Sequence, residues 1–196
     1  CWAPLGGRDG SGSAGRLGGL SEGAMAAEKV GAGLWLQSAD GRVLLLQRRS
    51  KHNDYAWGLP GGNREGGDAG LYETAVREAT EEMGSVPPHI VVDSLTVVRG
   101  KRGQKHYTVV RCAVAAGAAA GRGEPPAPFV PALNKEHRDW AWVPLPEVLD
   151  EATLQSAGGA PVRWLLHPVV KLYACQAEHP EPAGAAPGSS ALHSTG

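Results

Sequence analysis

Arg77, Glu78, Glu81 and Glu82 are the densest group of chemically capable side chains in the chain. On a helix at about 100° per residue, with Glu78 at zero, Glu82 falls near 40° and Glu81 near 300°, so the three carboxylates share about 100° of arc. That placement is electrostatically awkward. Like charges at i,i+3 and i,i+4 each destabilise a helix by about 0.2–0.5 kcal/mol, and acids in its last half oppose the macrodipole. Arg77 can pair with Glu73 or Glu81 at i±4, but one cation does not offset three anions. A solvated acidic face is the plainer reading of any Glu-Glu pair. The glycines directly upstream (Gly61, Gly62, Gly66, Gly67, Gly70) point instead to a hard divalent cation such as Mg²⁺, which prefers carboxylate, carbonyl and water oxygens.

The elements that must hold these side chains are legible around them. Residues 71–83 contain neither Gly nor Pro and predict a helix. Asp68 is its candidate N-cap, and Gly84 is placed to stop it as the C′ residue. Tyr72, Val76, Ala79 and Met83 fall between about 100° and 160° on the same wheel, a stripe expected to face a core. Further upstream, the apolar runs 30–36 and 43–46 flank Asp40-Gly41, a strong hairpin signal. Arg48 and Arg49 then open a basic stretch that leads into Trp57 and the glycines. Guanidinium forks suit phosphate oxygens, which makes Arg48 and Arg49 candidate ligands for a substrate diphosphate; a solvated charge run is the alternative. Trp57 is expected to pack beneath the loop rather than to stack on a base.

Residues 62–85 resemble the signature of the Nudix hydrolases: a glycine, five residues, a glutamate, seven residues, Arg-Glu, an apolar residue, any residue, Glu-Glu, any residue, a glycine and an apolar residue. Gly62 opens the match, and Arg77-Glu78, Ala79, Glu81-Glu82 and Gly84 follow it in register. Asp68 stands where glutamate is usual, residues 69–76 add one position before Arg77, and Ser85 replaces the closing apolar residue. A motif this long has few chance matches. The resemblance implies an α/β fold, an α/β/α sandwich with a mixed sheet in a single domain over residues 28–176. It also implies Mg²⁺ or Mn²⁺ held by Glu78, Glu81 and Glu82 with the backbone carbonyl of Gly62, and Arg77 orienting the carboxylates. Either Glu81 or Glu136 would be the base. Glu136 matches a glutamate that in the family often precedes a Trp-containing strand.

The substrate so implied is a small molecule, a nucleoside diphosphate linked to a further group that the signature does not select. The extra residue before Arg77 is similar to the coenzyme A pyrophosphatases, whose longer upstream basic motif is not matched between Arg48 and Gly61. A Nudix-fold protein that binds a nucleotide or RNA end without hydrolysing it is the competing reading. The three intact helical glutamates argue against it.

The rest of the chain supplies the frame. Residues 89–99 and 107–114 predict two strands joined by a basic turn, and residues 115–131 read as a long Ala/Gly/Pro loop. His137, beside Glu136, titrates near neutrality in an ordinary setting and is a second candidate base. Residues 140–145 predict a strand, residues 146–151 a short helix, and residues 169–176 a closing helix with Val169, Val170, Leu172 and Tyr173 inward. Residues 1–27 read as a disordered leader or transit-like segment, with Met25 a candidate start, and residues 177–196 as a disordered tail. A net charge of −1 gives no field favouring stable nucleic-acid or membrane binding. No apolar run approaches the ~20 residues of a membrane span. Three cysteines are too few and too scattered for a disulfide framework or a zinc site. A cytoplasmic setting is therefore expected, with a chloroplast or mitochondrial destination also open; so is the oligomeric state, a dimer included.

Overall fold

The computed structural model describes residues 29–99, 105–115 and 129–178. The segments 1–28 and 179–196, most of the Ala/Gly/Pro stretch and the basic turn at 100–104 lie outside the described residues. The elements run β1 (Lys29–Ser38), β2 (Arg42–Arg48), β3 (Trp57–Gly58), β4 (Gly61–Asn63), α1 (Leu71–Met83), β5 (Ile90–Arg99), β6 (Lys105–Val114), β7 (His137–Pro144), α2 (Leu145–Ser156) and α3 (Pro168–Glu178).

A mixed sheet forms the middle layer, in the order β3-β2-β1-β6-β5, with β7 on β2 and β4 on β1. Its central strands are apolar on both faces because both are covered. Ala32, Leu34, Leu36, Leu44, Leu46, Val110 and Cys112 meet Ala75, Ala79 and Met83 of α1. Trp35, Val43, Leu45, Val109 and Val143 on the other face meet Val148 and Ala152 of α2 and Val170, Tyr173 and Ala174 of α3. The alternation along β1 and β2 sorts the same strand into two cores. The α/β/α sandwich is the observed architecture.

β1 organises this layer. One edge runs parallel to β6 along all its length, from Lys29 opposite Lys105 to Ser38 opposite Val114. The other edge is divided: Gly31, Ala32 and Gly33 pair with Asn63, Gly62 and Gly61 of β4, whereas Gln37 pairs with Val43 of β2. β2 therefore leaves β1 after the hairpin turn, carrying β3 and β7 with it. The divergence opens a cleft beside β4. Glycine is required where β1 meets β4, since a Cβ on Gly33 would stand 2.4 Å from the Tyr107 hydroxyl oxygen and 2.9 Å from the Pro60 carbonyl.

Three local expectations need correction. The N-cap of α1 is Gly70 and makes no side-chain cap; Gly84 does end the helix, at φ 77°. The buried residues of α1 are Thr74, Ala75, Ala79, Glu82 and Met83, so the inward arc is centred nearer Glu82 than expected, and Tyr72 is exposed. The reason is that α1 lies across β1 and β4, which brings its acidic side to the strand carrying the glycines. The helix after β7 runs through Ser156, beyond the expected short turn, because Val148 and Ala152 dock into the second core.

Candidate functional site

Arg77 ties the glycine loop to α1. Its Nε donates to Asp68 Oδ1 at 2.9 Å and its Nη2 to Asp68 Oδ2 at 3.1 Å, a two-point pair. Nη2 also donates to the Asn63 carbonyl at 3.0 Å, and Nη1 to Glu81 Oε1 at 3.2 Å. Asp68 accepts further bonds from the Glu65 N–H at 2.9 Å and the Thr74 hydroxyl at 2.8 Å. The guanidinium, followed by these donors, holds the Asp68 carboxyl well below its ordinary value. Asp68 is thus the anchor of Arg77 rather than a helix cap. The shorter acid and the additional residue before α1 together still close the pair.

The three glutamates have separate environments. Glu82 points inward and is 4% exposed. Its Oε2 accepts the Gly61 N–H at 2.8 Å, and its Oε1 lies 3.7 Å from Nε2 of His137. Desolvation pushes the Glu82 carboxyl up to about 8, against the opposing pull of the Gly61 bond and of Arg48. Burial, with Arg48 adding to it, pushes His137 down to about 4. At neutral pH the imidazole is uncharged, so this contact is not an ion pair. His137 opens β7 as a buried residue, which leaves it no route to act as a solvated base. Glu78 is partly buried, 3.1 Å from Arg77 Nη2, and raised by desolvation against that cation. Glu81 faces outward to Arg77.

The backbone of β4 faces two ways. Leu34 N–H donates to the Pro60 carbonyl at 2.9 Å and Arg64 N–H to the Val30 carbonyl at 3.0 Å, so even-numbered residues of this stretch turn to β1. The Gly62 carbonyl lies 2.5 Å from the Cβ position of Gly31, on that side. Gly62 is therefore corrected as a carbonyl donor toward the acids. Gly61 and Asn63, whose backbone groups already meet Glu82 and Arg77, present theirs toward α1. Gly62 contributes its missing side chain: a Cβ there would fall 2.3 Å from Oε2 of Glu78.

Arg48 lines a cleft of about 310 Å³ with Lys51, His52, Asn63, Tyr107 and His167, directly beside Gly61 and Gly62. Arg49 is not among its lining residues; its backbone N–H donates to the Glu136 carbonyl at 2.7 Å. Glu136 is exposed, and its charge is among the influences that raise Glu82. Trp57 packs under the loop, edge-on to Trp164 with centroids 4.8 Å apart. One contributor carried no local signal. Arg138 Nη2 donates to both oxygens of Asp54, at 2.7 and 2.8 Å, and its guanidinium sits 4.0 Å from the Tyr55 ring centroid. That clamp fixes the loop bearing Lys51 and His52, in which Asn53 and Tyr55 have φ of 58° and 62°.

Among the described residues, no group of three or more His, Cys, Asp or Glu side chains is placed to hold a metal ion by itself. Comparison with known proteins places this geometry. The NUDIX domain family model matches residues 27–165. Among solved structures, the chain is similar to the Nudix hydrolase RenU of M. smegmatis, at 23% identity over 80% of this chain and 91% of that one, with a TM-score of 0.51. It is also similar to the MutT protein of Methanosarcina mazei Go1, at 20% identity over 77% of this chain and 95% of that one, with a TM-score of 0.50. At these identities the likeness is one of fold. No curated protein matches the chain.

Proposed function

The chain belongs to the Nudix family, and on that premise we propose that it cleaves the diphosphate bond of a nucleoside diphosphate linked to a further group, with Mg²⁺ or Mn²⁺. Nudix enzymes are pyrophosphohydrolases acting on phosphoric anhydrides, and they generally use divalent metal ions.

The observation that carries the reading is the condition of Glu82. A carboxyl group 4% exposed is satisfied by one backbone N–H and an uncharged imidazole, with no Lys or Arg at ion-pair distance among the described residues. Burying a charge without a partner costs several kcal/mol, and a cation at the cleft would relieve it. The donor set fits Mg²⁺ or Mn²⁺. Mg²⁺ is commonly held by one or two carboxylates, with water and substrate phosphates completing the shell. Glu82 and Glu78 are the proposed carboxylate ligands, with Glu81 at the margin and the Gly61 carbonyl in place of that of Gly62. When bound, the ion supplies charge neutralisation for the diphosphate and a more acidic water.

The chain's own residues do the rest. Arg77 and Asp68 hold Glu78 and Glu81 in place through the pairs described above. Arg48 offers a guanidinium to the diphosphate from the opposite wall of the cleft, and Lys51 and His52 line the same space. Glu81 and Glu136, both exposed at the surface, are the candidate bases. A panel of nucleoside-diphosphate substrates, assayed with Mg²⁺ and with Mn²⁺ and read by product mass, tests the proposal. Cleavage within the diphosphate bridge is expected. Stoichiometric nucleotide binding with no product under either metal would favour the non-hydrolytic reading.

A further inference from the structure

Tyr107 stands in β6 opposite Gly31 of β1, and its side chain lies across the glycines where β1 meets β4. A Cβ on Gly31 would fall 3.0 Å from Cδ2 of the ring, and one on Gly61 2.7 Å from the hydroxyl oxygen, the atom that also crowds a Cβ on Gly33. The close approach of β1 and β4 requires glycine there by itself, and the phenol fills the space so left. Half-buried, it lines the cleft together with Arg48, Gly61 and Gly62. Its hydroxyl has no hydrogen-bond partner among the described residues. The Glu82 carboxyl is engaged elsewhere, by the Gly61 N–H and by His137. A ring needed only for packing could be phenylalanine, whereas an enclosed tyrosine O–H usually has a partner.

We propose that Tyr107 is a substrate-binding residue, its hydroxyl donating a hydrogen bond to an oxygen of the diphosphate beside Gly61. This rests on the diphosphate reading given above. The surroundings of the hydroxyl select that acceptor. The charges of Glu82, Arg48 and Glu78 all act on it, and these are the groups assigned to the ion and the diphosphate. Burial, followed by the charge of Glu82, pushes its ionisation far above the ordinary value, so it keeps its proton at any working pH. A protonated phenol is a donor that a phosphate oxygen accepts. It is a poor ligand for a hard cation, which takes carboxylate, carbonyl and water oxygens. It also brings a donor without a charge, so it does not repel an ion held by Glu78 and Glu82 as a second guanidinium would.

Y107F keeps the ring and removes only the hydroxyl. Its urea midpoint should be unchanged or raised, because no hydrogen bond within the protein is lost. Calorimetric titrations in Mg²⁺ with ADP, GDP, CDP and UDP, and with inorganic pyrophosphate, test the contact. Y107F should bind pyrophosphate, and each nucleotide that the wild type binds, about 10- to 100-fold more weakly, the range of a hydrogen bond to a charged group. The kcat/KM for any cleaved substrate should fall by a similar factor. Equal affinities in the two proteins would overturn the assignment and leave the hydrolase reading standing. So would a loss for nucleotides with none for pyrophosphate, since the hydroxyl would then meet the nucleoside, or a wild type that binds nucleotides and no pyrophosphate. A wild type that binds these ligands more tightly than Y107F yet cleaves nothing would refute hydrolysis and support the contact. A wild type that binds none of them would overturn both.

Discussion

Replacing Glu82 by Gln should stabilise the metal-free protein at neutral to alkaline pH while removing its response to metal and nearly all turnover. The carboxyl is raised from 4.5 to about 8 by burial. For an acid whose folded value lies above its unfolded one, the stabilising contribution is present below pH ~4.5 and is lost as pH rises toward and through ~8. At about 1.4 kcal/mol per unit, the full loss has an upper bound of about 5 kcal/mol. Gln keeps an acceptor for the Gly61 N–H and stays neutral throughout. Urea denaturation in a chelator, from about pH 5 to about pH 9, should show the wild type falling relative to E82Q by about 3–5 kcal/mol. Adding Mn²⁺ at a hundredfold excess over its dissociation constant should return about 2.7 kcal/mol to the wild type and little to the variant. A stability difference that does not change with pH, or equal stabilisation of both proteins by Mn²⁺, would refute the argument.

Three further outcomes follow from contacts already described. Gly62→Ala places a Cβ 2.3–2.7 Å from the Glu78 carboxylate atoms; a displacement of about 1 Å should lower kcat by roughly 10²-fold with an unchanged far-UV spectrum. Arg77→Lys cannot reproduce the two-point bond to Asp68, and should cost about 1.5–3 kcal/mol in urea denaturation together with a fall in kcat. Glu151→Ala removes the acceptor of the Val162, Arg163 and Trp164 N–H groups; it should lower stability by about 2–4 kcal/mol with kcat of the folded protein intact.

What the sequence discloses here depends on how far apart the cooperating residues lie. α1 is legible because its spacing is local, and its stop at Gly84 follows from one residue's tolerance of positive φ. The centre of its buried arc is not legible, since a helical wheel orders residues without saying which neighbour lies beneath. That is why Tyr72 was expected inside and Thr74 was not. β3 and β4, two and three residues long, are too short to show alternation and exist through their pairing with β2 and β1. The role of Asp68 depends on Arg77, nine positions away, and the clamp on the cleft loop joins residues 84 positions apart. The orientation of the Gly62 carbonyl likewise follows from ladder register, which no motif encodes. His137 illustrates the same limit at the site itself: its neighbour Glu136 is exposed, while its own burial is set by Glu82 on another element.

The divided edge of β1 has a practical outcome for handling the protein. Its pairing with β4 ends at Gly33, whereas the turn after Ser38 lies at the opposite end, about 17 Å along the strand. A Cβ added at Gly41 in that turn would meet nothing within 4 Å. A fluorophore, an affinity handle or a surface tether attached at Ala39 would hang from the far pole of the molecule and leave the cleft mouth clear, so immobilised enzyme should keep its solution KM.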